Sequence, residues 1–159
     1  MPINVFETLT HLEQERYRAV ILHVTPEKSP SLTVFCQKFC KQANGKYLDI
    51  LELFTQSTTL SESIDRFSPE RLRDLLIEQS QGQSLLVVDR ADFLLDTWRK
   101  SERQGFYRFI SNQWDGYKDG MKATLIFGLQ TSQEIEALKI PDSQDLSRIF
   151  RLTDFNDIG

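Results

Sequence analysis

The chain has 159 residues, 40% of them hydrophobic with eleven phenylalanines, which suits one compact domain with a real core. Its formal net charge of −4 excludes a molecule that attracts nucleic acid by overall charge. No run of about 18 apolar residues occurs, so no transmembrane helix is expected. The start, Met1-Pro2-Ile3-Asn4-Val5-Phe6-Glu7, has neither a basic stretch nor a long apolar one, so it does not read as a signal peptide.

Segment 4–17 carries Val5, Leu9, Leu12 and Arg16 at helical spacing and predicts a leading helix. Ala19-Val20-Ile21-Leu22-His23-Val24 is a nearly unbroken apolar run, the pattern of a strand buried on both faces. Ser29-Pro30 then opens a helix, with Ser29 read as N-cap and Pro30 at the first helical position. Leu32, Phe35, Cys36, Phe39, Cys40 and Ala43 form one apolar face, and Asn44-Gly45 ends it. Cys36 and Cys40 are the only cysteines. At a spacing of four they fit the core stripe of a reduced, cytoplasmic protein better than a disulfide or metal pair.

Lys46 to Phe54 predicts a second strand whose later part could equally begin a helix, and 55–67 reads as a polar loop weakly anchored by Leu60 and Ile64. Ser68-Pro69 repeats the cap-plus-proline signal for a helix that ends at Gly82. Leu85-Leu86-Val87-Val88-Asp89 is a further buried strand, and 97–119 places Phe106, Tyr107, Phe109, Ile110, Trp114 and Tyr117 at mostly helical spacing. Ala123 to Phe127 is another strand. Thr131-Ser132-Gln133-Glu134 reads as a capping box with Thr131 as N-cap, and Ile149 to Leu152 is a last strand. Strands and helices alternate with long connections. That order predicts one α/β domain over 1–159, a three-layer fold on a parallel sheet of about five strands.

A strand, a turn and a helix at 19–43, with a strand ending in aspartate at 89, is the frame of a P-loop NTPase of AAA+-like type. A working phosphate loop reads G-x-x-x-x-G-K-[ST]. Counted from the strand end, its two glycines fall on Thr25 and Pro30, its lysine on Ser31 and its hydroxyl on Leu32. Lys28 stands three residues early; Ser31 and Thr33 have hydroxyls, one residue off. Proline offers no N–H to a phosphate. The helix start with Ser29 keeps its dipole, which leaves weak anion binding open. Asp89 stands where an aspartate would hold magnesium through water, or it caps the strand and pairs with a neighbour such as Arg90. The next residue is Arg90 rather than a glutamate, so Asp92 is the nearby acid for hydrolysis. Gln130 or Thr131 stands where a residue would sense the terminal phosphate. No nucleophile, metal cluster or acid pair marks other chemistry, so no catalytic residue and no metal ligand is assigned. The expected ligand set is vestigial or weak (Lys28, Ser29, Ser31, Thr33, Asp89, Asp92 and Gln130), with no bound cofactor expected and ATP with magnesium as the rival outcome.

Trp98, Arg99, Lys100, Arg103 and Arg108 lie in a segment, 98–122, with six basic and three acidic residues. Such a mixture fits either a helix with a core face and a charged face, or a surface for nucleic acid or a partner protein.

Tyr47-Leu48-Asp49-Ile50-Leu51-Glu52-Leu53 and Leu86-Val87-Val88-Asp89-Arg90-Ala91-Asp92-Phe93-Leu94-Leu95-Asp96 resemble the BrxF family, the small P-loop-type component of type 3 BREX phage-defence systems. The likeness covers most of the chain in layout and these two segments in residues. It implies a bacterial protein working among other subunits of a defence complex, with Asp89 and Asp92 as magnesium-side acids. The turn at 25–33 departs from that family's glycine–lysine pattern, which implies a degenerate member. The expectation is therefore a non-hydrolysing assembly or regulatory subunit, with self-association through Arg148 or Arg151 as a further expectation. The alternatives are a weak ATPase and a DNA-binding adaptor.

Overall fold

A computed structural model describes residues 4, 7, 18–112, 114, 123–139 and 147–154. The expected leading helix at 4–17 and Tyr117 lie outside the described residues, apart from Asn4 and Glu7.

Five strands form one sheet: β1 (Ala19–Val24), β2 (Lys46–Asp49), β3 (Leu85–Asp89), β4 (Thr124–Gln130) and β5 (Ile149–Arg151). Their order is β2-β3-β4-β1-β5, and every pairing is parallel. The registers Val24↔Gln130 and Asp49↔Asp89 bring the carboxyl ends of the four longer strands to one edge. All six residues of β1 are buried, as the continuous apolar run requires of a strand covered on both faces.

The long helix α1 (Ser29–Ala43) follows β1 through a 3-10 turn at Pro26–Lys28. Between β2 and β3 come α2 (Ile50–Thr55), α3 (Thr58–Glu62) and α4 (Pro69–Ser80). The polar segment 55–67, expected as loop, is thus partly helical. Asp49 accepts from the Glu52 N–H to cap α2, and Ser57 accepts from the Leu60 N–H to cap α3. Such caps start short helices without a strong apolar stripe. Between β3 and β4 lie α5 (Asp92–Leu95) and α6 (Lys100–Asn112), and α7 (Gln133–Ala137) follows β4.

The sheet separates two cores. On one face Leu32, Cys36, Phe39 and Cys40 of α1 pack on Leu22, Val24, Leu85, Val87 and Ile126. On the other, helices α2 to α7 pack on Ile21, Leu48, Leu86, Val88, Leu125 and Phe127, among others. Right-handed crossovers account for this division. The connection from β1 runs to the far edge at β2, and each later one runs back the other way. Hence α1 has one face to itself. Neighbours β1 and β4 send their connections over opposite faces, and such a point in an open α/β sheet makes a crevice beyond the strands' carboxyl ends.

Asn44 ends α1 in the left-handed conformation (φ 57°), which asparagine tolerates. Cys36 and Cys40 are free and buried, and burial raises both thiol pKa values, that of Cys40 to about 12. No helix among the described residues is long and apolar enough to cross a membrane.

Candidate functional site at the strand ends

The turn after β1 is the first wall of the crevice. The Lys28 N–H donates to the Thr25 carbonyl at 2.9 Å, and the Ser29 N–H donates to the Pro26 carbonyl. Pro26 and Pro30 have no N–H at all. The Glu27 carboxyl is held below its usual range by its own N–H and then by the Thr25 hydroxyl. The turn therefore directs donors at its own oxygens, and it adds a negative charge. Ser29 does not cap α1: Lys28 occupies that position with no side-chain cap. Ser29 lies inside the first turn, where the 3-10 turn has already met its N–H, and its hydroxyl receives the Gln130 amide at 3.1 Å. Lys28 and Ser31 are exposed.

Behind the turn, Asp89 is 2% exposed with both carboxylate oxygens bonded. Its Oδ2 accepts from the Thr33 hydroxyl at 2.7 Å and the Tyr47 hydroxyl at 2.8 Å, and its Oδ1 accepts from the Arg90 N–H at 2.9 Å. Thr33, rather than a hydroxyl at the counted position 32, is the α1 group that meets the aspartate. Leu32 is in the core, a side chain turned toward Gly128. The Arg90 guanidinium turns away from Asp89 to Asp49, with Nε at 2.9 Å from Asp49 Oδ2. That path follows from the left-handed backbone at Arg90 (φ 58°), an uncommon state for a side chain of this size. Burial first, and then the bond to Asp89, push the Tyr47 phenol well above its ordinary range, so it stays a donor.

Asp92 points to the other side. Its Oδ1 accepts from the Gln130 N–H at 2.8 Å. Burial is the main reason its pKa rises to about 6; Asp96 adds to the rise and the Gln130 N–H opposes it. It borders a cleft of about 380 Å³ shared with Asp96, Arg103, Tyr107, Gln130 and Glu134. Gln130 thus links the two sides, its amide on α1 and its N–H on Asp92. Thr131 is not the N-cap of α7. Ser132 is, accepting from the Ile135 N–H, while the Thr131 hydroxyl meets His23 Nδ1 at 2.7 Å. Burial lowers the His23 pKa, helped by Arg151.

The aromatic–basic segment divides between core and surface. Trp98 is buried, donates its indole N–H to the Phe67 carbonyl at 2.7 Å and packs edge-on against Phe106, so it offers no stacking face. Arg103 forks onto both oxygens of Glu134 at 2.8 Å and donates to the Leu95 and Trp98 carbonyls. It ties α6 to α7. Arg99, Lys100 and Arg108 are exposed. Arg148, expected at a contact between copies, is buried and donates to the Ala19 and Ser111 carbonyls, while Arg151 pairs with Glu136.

Sequence reasoning brought Thr33, Asp89, Ser29 and Gln130 into one neighbourhood, and the structure joins them pairwise. It missed Tyr47. The alternation of Tyr47 and Asp49 against Leu48 and Ile50 marked their common face, but only the pairing of β2 with β3 brings that face to Asp89. Among the described residues, no group of three or more histidines, cysteines and acids could hold a metal ion. No family model, curated protein or solved structure matches the chain.

Proposed function

We propose that the chain is a non-hydrolysing subunit with a P-loop-like, AAA+-like frame. It acts by assembling with or regulating other proteins, in a bacterial antiphage system of the BREX kind. The observation that carries this reading is the turn at 25–30. A phosphate loop works because several backbone N–H groups converge on one anion. Here two of the positions are prolines and two more N–H groups close a 3-10 turn on Thr25 and Pro26. Glu27 adds repulsion, and Lys28 is exposed at the turn. The residues present therefore do not fit a nucleotide triphosphate with magnesium, and no hydrolytic step is derived.

The frame itself needs no ligand. Two apolar cores and a fully paired parallel sheet hold it. What such a frame offers a larger assembly is shape and surface. The link to phage defence comes from the resemblance at 47–53 and 86–96. A methyltransferase gene and a phosphatase-like gene beside this one would support that setting.

The deciding experiment is calorimetric titration with ATP and magnesium at millimolar nucleotide. The expected result is no saturable heat and no phosphate release. Micromolar binding that Asp89→Ala abolishes would overturn the reading in favour of an ATPase.

A further inference from the structure

We infer that the Tyr47 hydroxyl takes the place beside Asp89 that a divalent cation or its bound water would need, and so closes this strand end to metal. The inference rests on the P-loop-like reading of the frame, since that reading makes Asp89 the expected cation-side acid.

A carboxylate has about four lone-pair directions. At Asp89, Thr33 and Tyr47 take both of Oδ2, and the Arg90 N–H takes one of Oδ1. The remaining side of Oδ1 lies near Gly128. There an added methyl carbon would stand 3.5 Å from Oδ1, 3.3 Å from Leu32 Cδ2 and 3.1 Å from the Val88 carbonyl oxygen. That gap suits a glycine and no hydrated ion. Magnesium asks for oxygens at about 2.0–2.1 Å in a near-octahedral set and keeps several waters. With Asp89 only 2% exposed, such an ion enters only by displacing a donor.

The donors are not equivalent. The Arg90 N–H is backbone. Thr33 sits on α1 within the packed helix and is the hydroxyl a cation would share with Asp89. Tyr47 is different: it reaches in from β2, the edge strand, and is only half-buried. Removing its single oxygen leaves a space bounded by the Thr33 hydroxyl and Asp89 Oδ2, two oxygen ligands already 2.7 Å apart. A tyrosine at this position is thus an internal substitute for the ion, holding the carboxylate's charge by hydrogen bonding.

The test is manganese titration followed by electron paramagnetic resonance, on the wild type, Asp89→Asn, Tyr47→Phe and Tyr47→Phe combined with Asp89→Asn. The wild type is expected to show no Asp89-dependent binding at millimolar manganese. The phenylalanine variant should gain saturable binding, tighter by about tenfold or more, and the double variant should lose it. An unchanged titration in folded Tyr47→Phe overturns the inference and leaves the reading of the turn standing. Asp89-dependent manganese binding by the wild type overturns both. Should Tyr47→Phe not fold, proton NMR of the wild type decides. A Tyr47 hydroxyl resonance that persists in millimolar magnesium supports the inference, and its loss on adding magnesium overturns it.

Discussion

Asp89 and Asp92 are three residues apart, yet they stand on opposite sides of one sheet edge and have different surroundings. Asp89 is enclosed by donors from α1, β2 and the Arg90 backbone. Asp92 accepts from the Gln130 N–H and from its own N–H, and it faces a cleft. Burial alone does not decide what a carboxylate does. At Asp92 burial raises the pKa, and the hydrogen bonds it accepts oppose that rise. The first aspartate acts as a staple, and the second keeps a titratable charge at an open wall.

That contrast can be broken most forcefully at Asp89. Asp89→Ala strands two half-buried hydroxyls and an N–H and should cost about 3–5 kcal/mol in urea unfolding. A loss no larger than that of an exposed residue would mean the three bonds are incidental.

Asp92 should behave in the opposite sense. Its folded pKa of about 6 lies above the ordinary 3.8, so the folded state holds the proton more tightly. Its contribution to stability is therefore greatest below about pH 4 and falls away as pH rises through 6, by about 3 kcal/mol at most. Asp92→Asn keeps an oxygen for the Gln130 N–H and removes the charge. It should flatten this part of the profile and raise stability at pH 8 by about 1–3 kcal/mol. Unfolding midpoints from pH 4 to 8 for both proteins check it; parallel curves would refute the assignment.

The smallest effect sharpens the assignment of the α7 cap. Ser132→Ala should cost about 1 kcal/mol in the same assay. Thr131→Ala should lose the His23 contact and leave the helix start intact. Backbone amide exchange at Ile135 separates the two, since only the serine change frees that N–H.

Much of the architecture could be read from the residues because buried parallel strands announce themselves. The runs at 19–22 and 85–88 are apolar throughout, and α1 shows its buried stripe at every turn. The short helices at 50–55 and 58–62 could not be read in the same way. They begin on side-chain caps, Asp49 and Ser57, and have too few turns for periodicity. The one-residue error at Thr131, where Ser132 is the cap, has a local cause. Adjacent hydroxyl residues differ little in preference, and which one caps or reaches across depends on the path of the preceding chain. Tyr47 lay beyond reach because its meaning comes from a neighbouring strand 40 residues later.

The central pairing has a consequence for how the chain is born. Ala19 lies against Leu125, so β1 meets β4 only after the chain through Gln130 has left the ribosome. Until then the five oily residues of β1 wait without a sheet, and the entropy of closing so large a loop delays the nucleus. Helix α1 can shield one flank of that strand early, being next in sequence. The opposite flank stays bare during synthesis, which makes premature release of the nascent chain a route to aggregation.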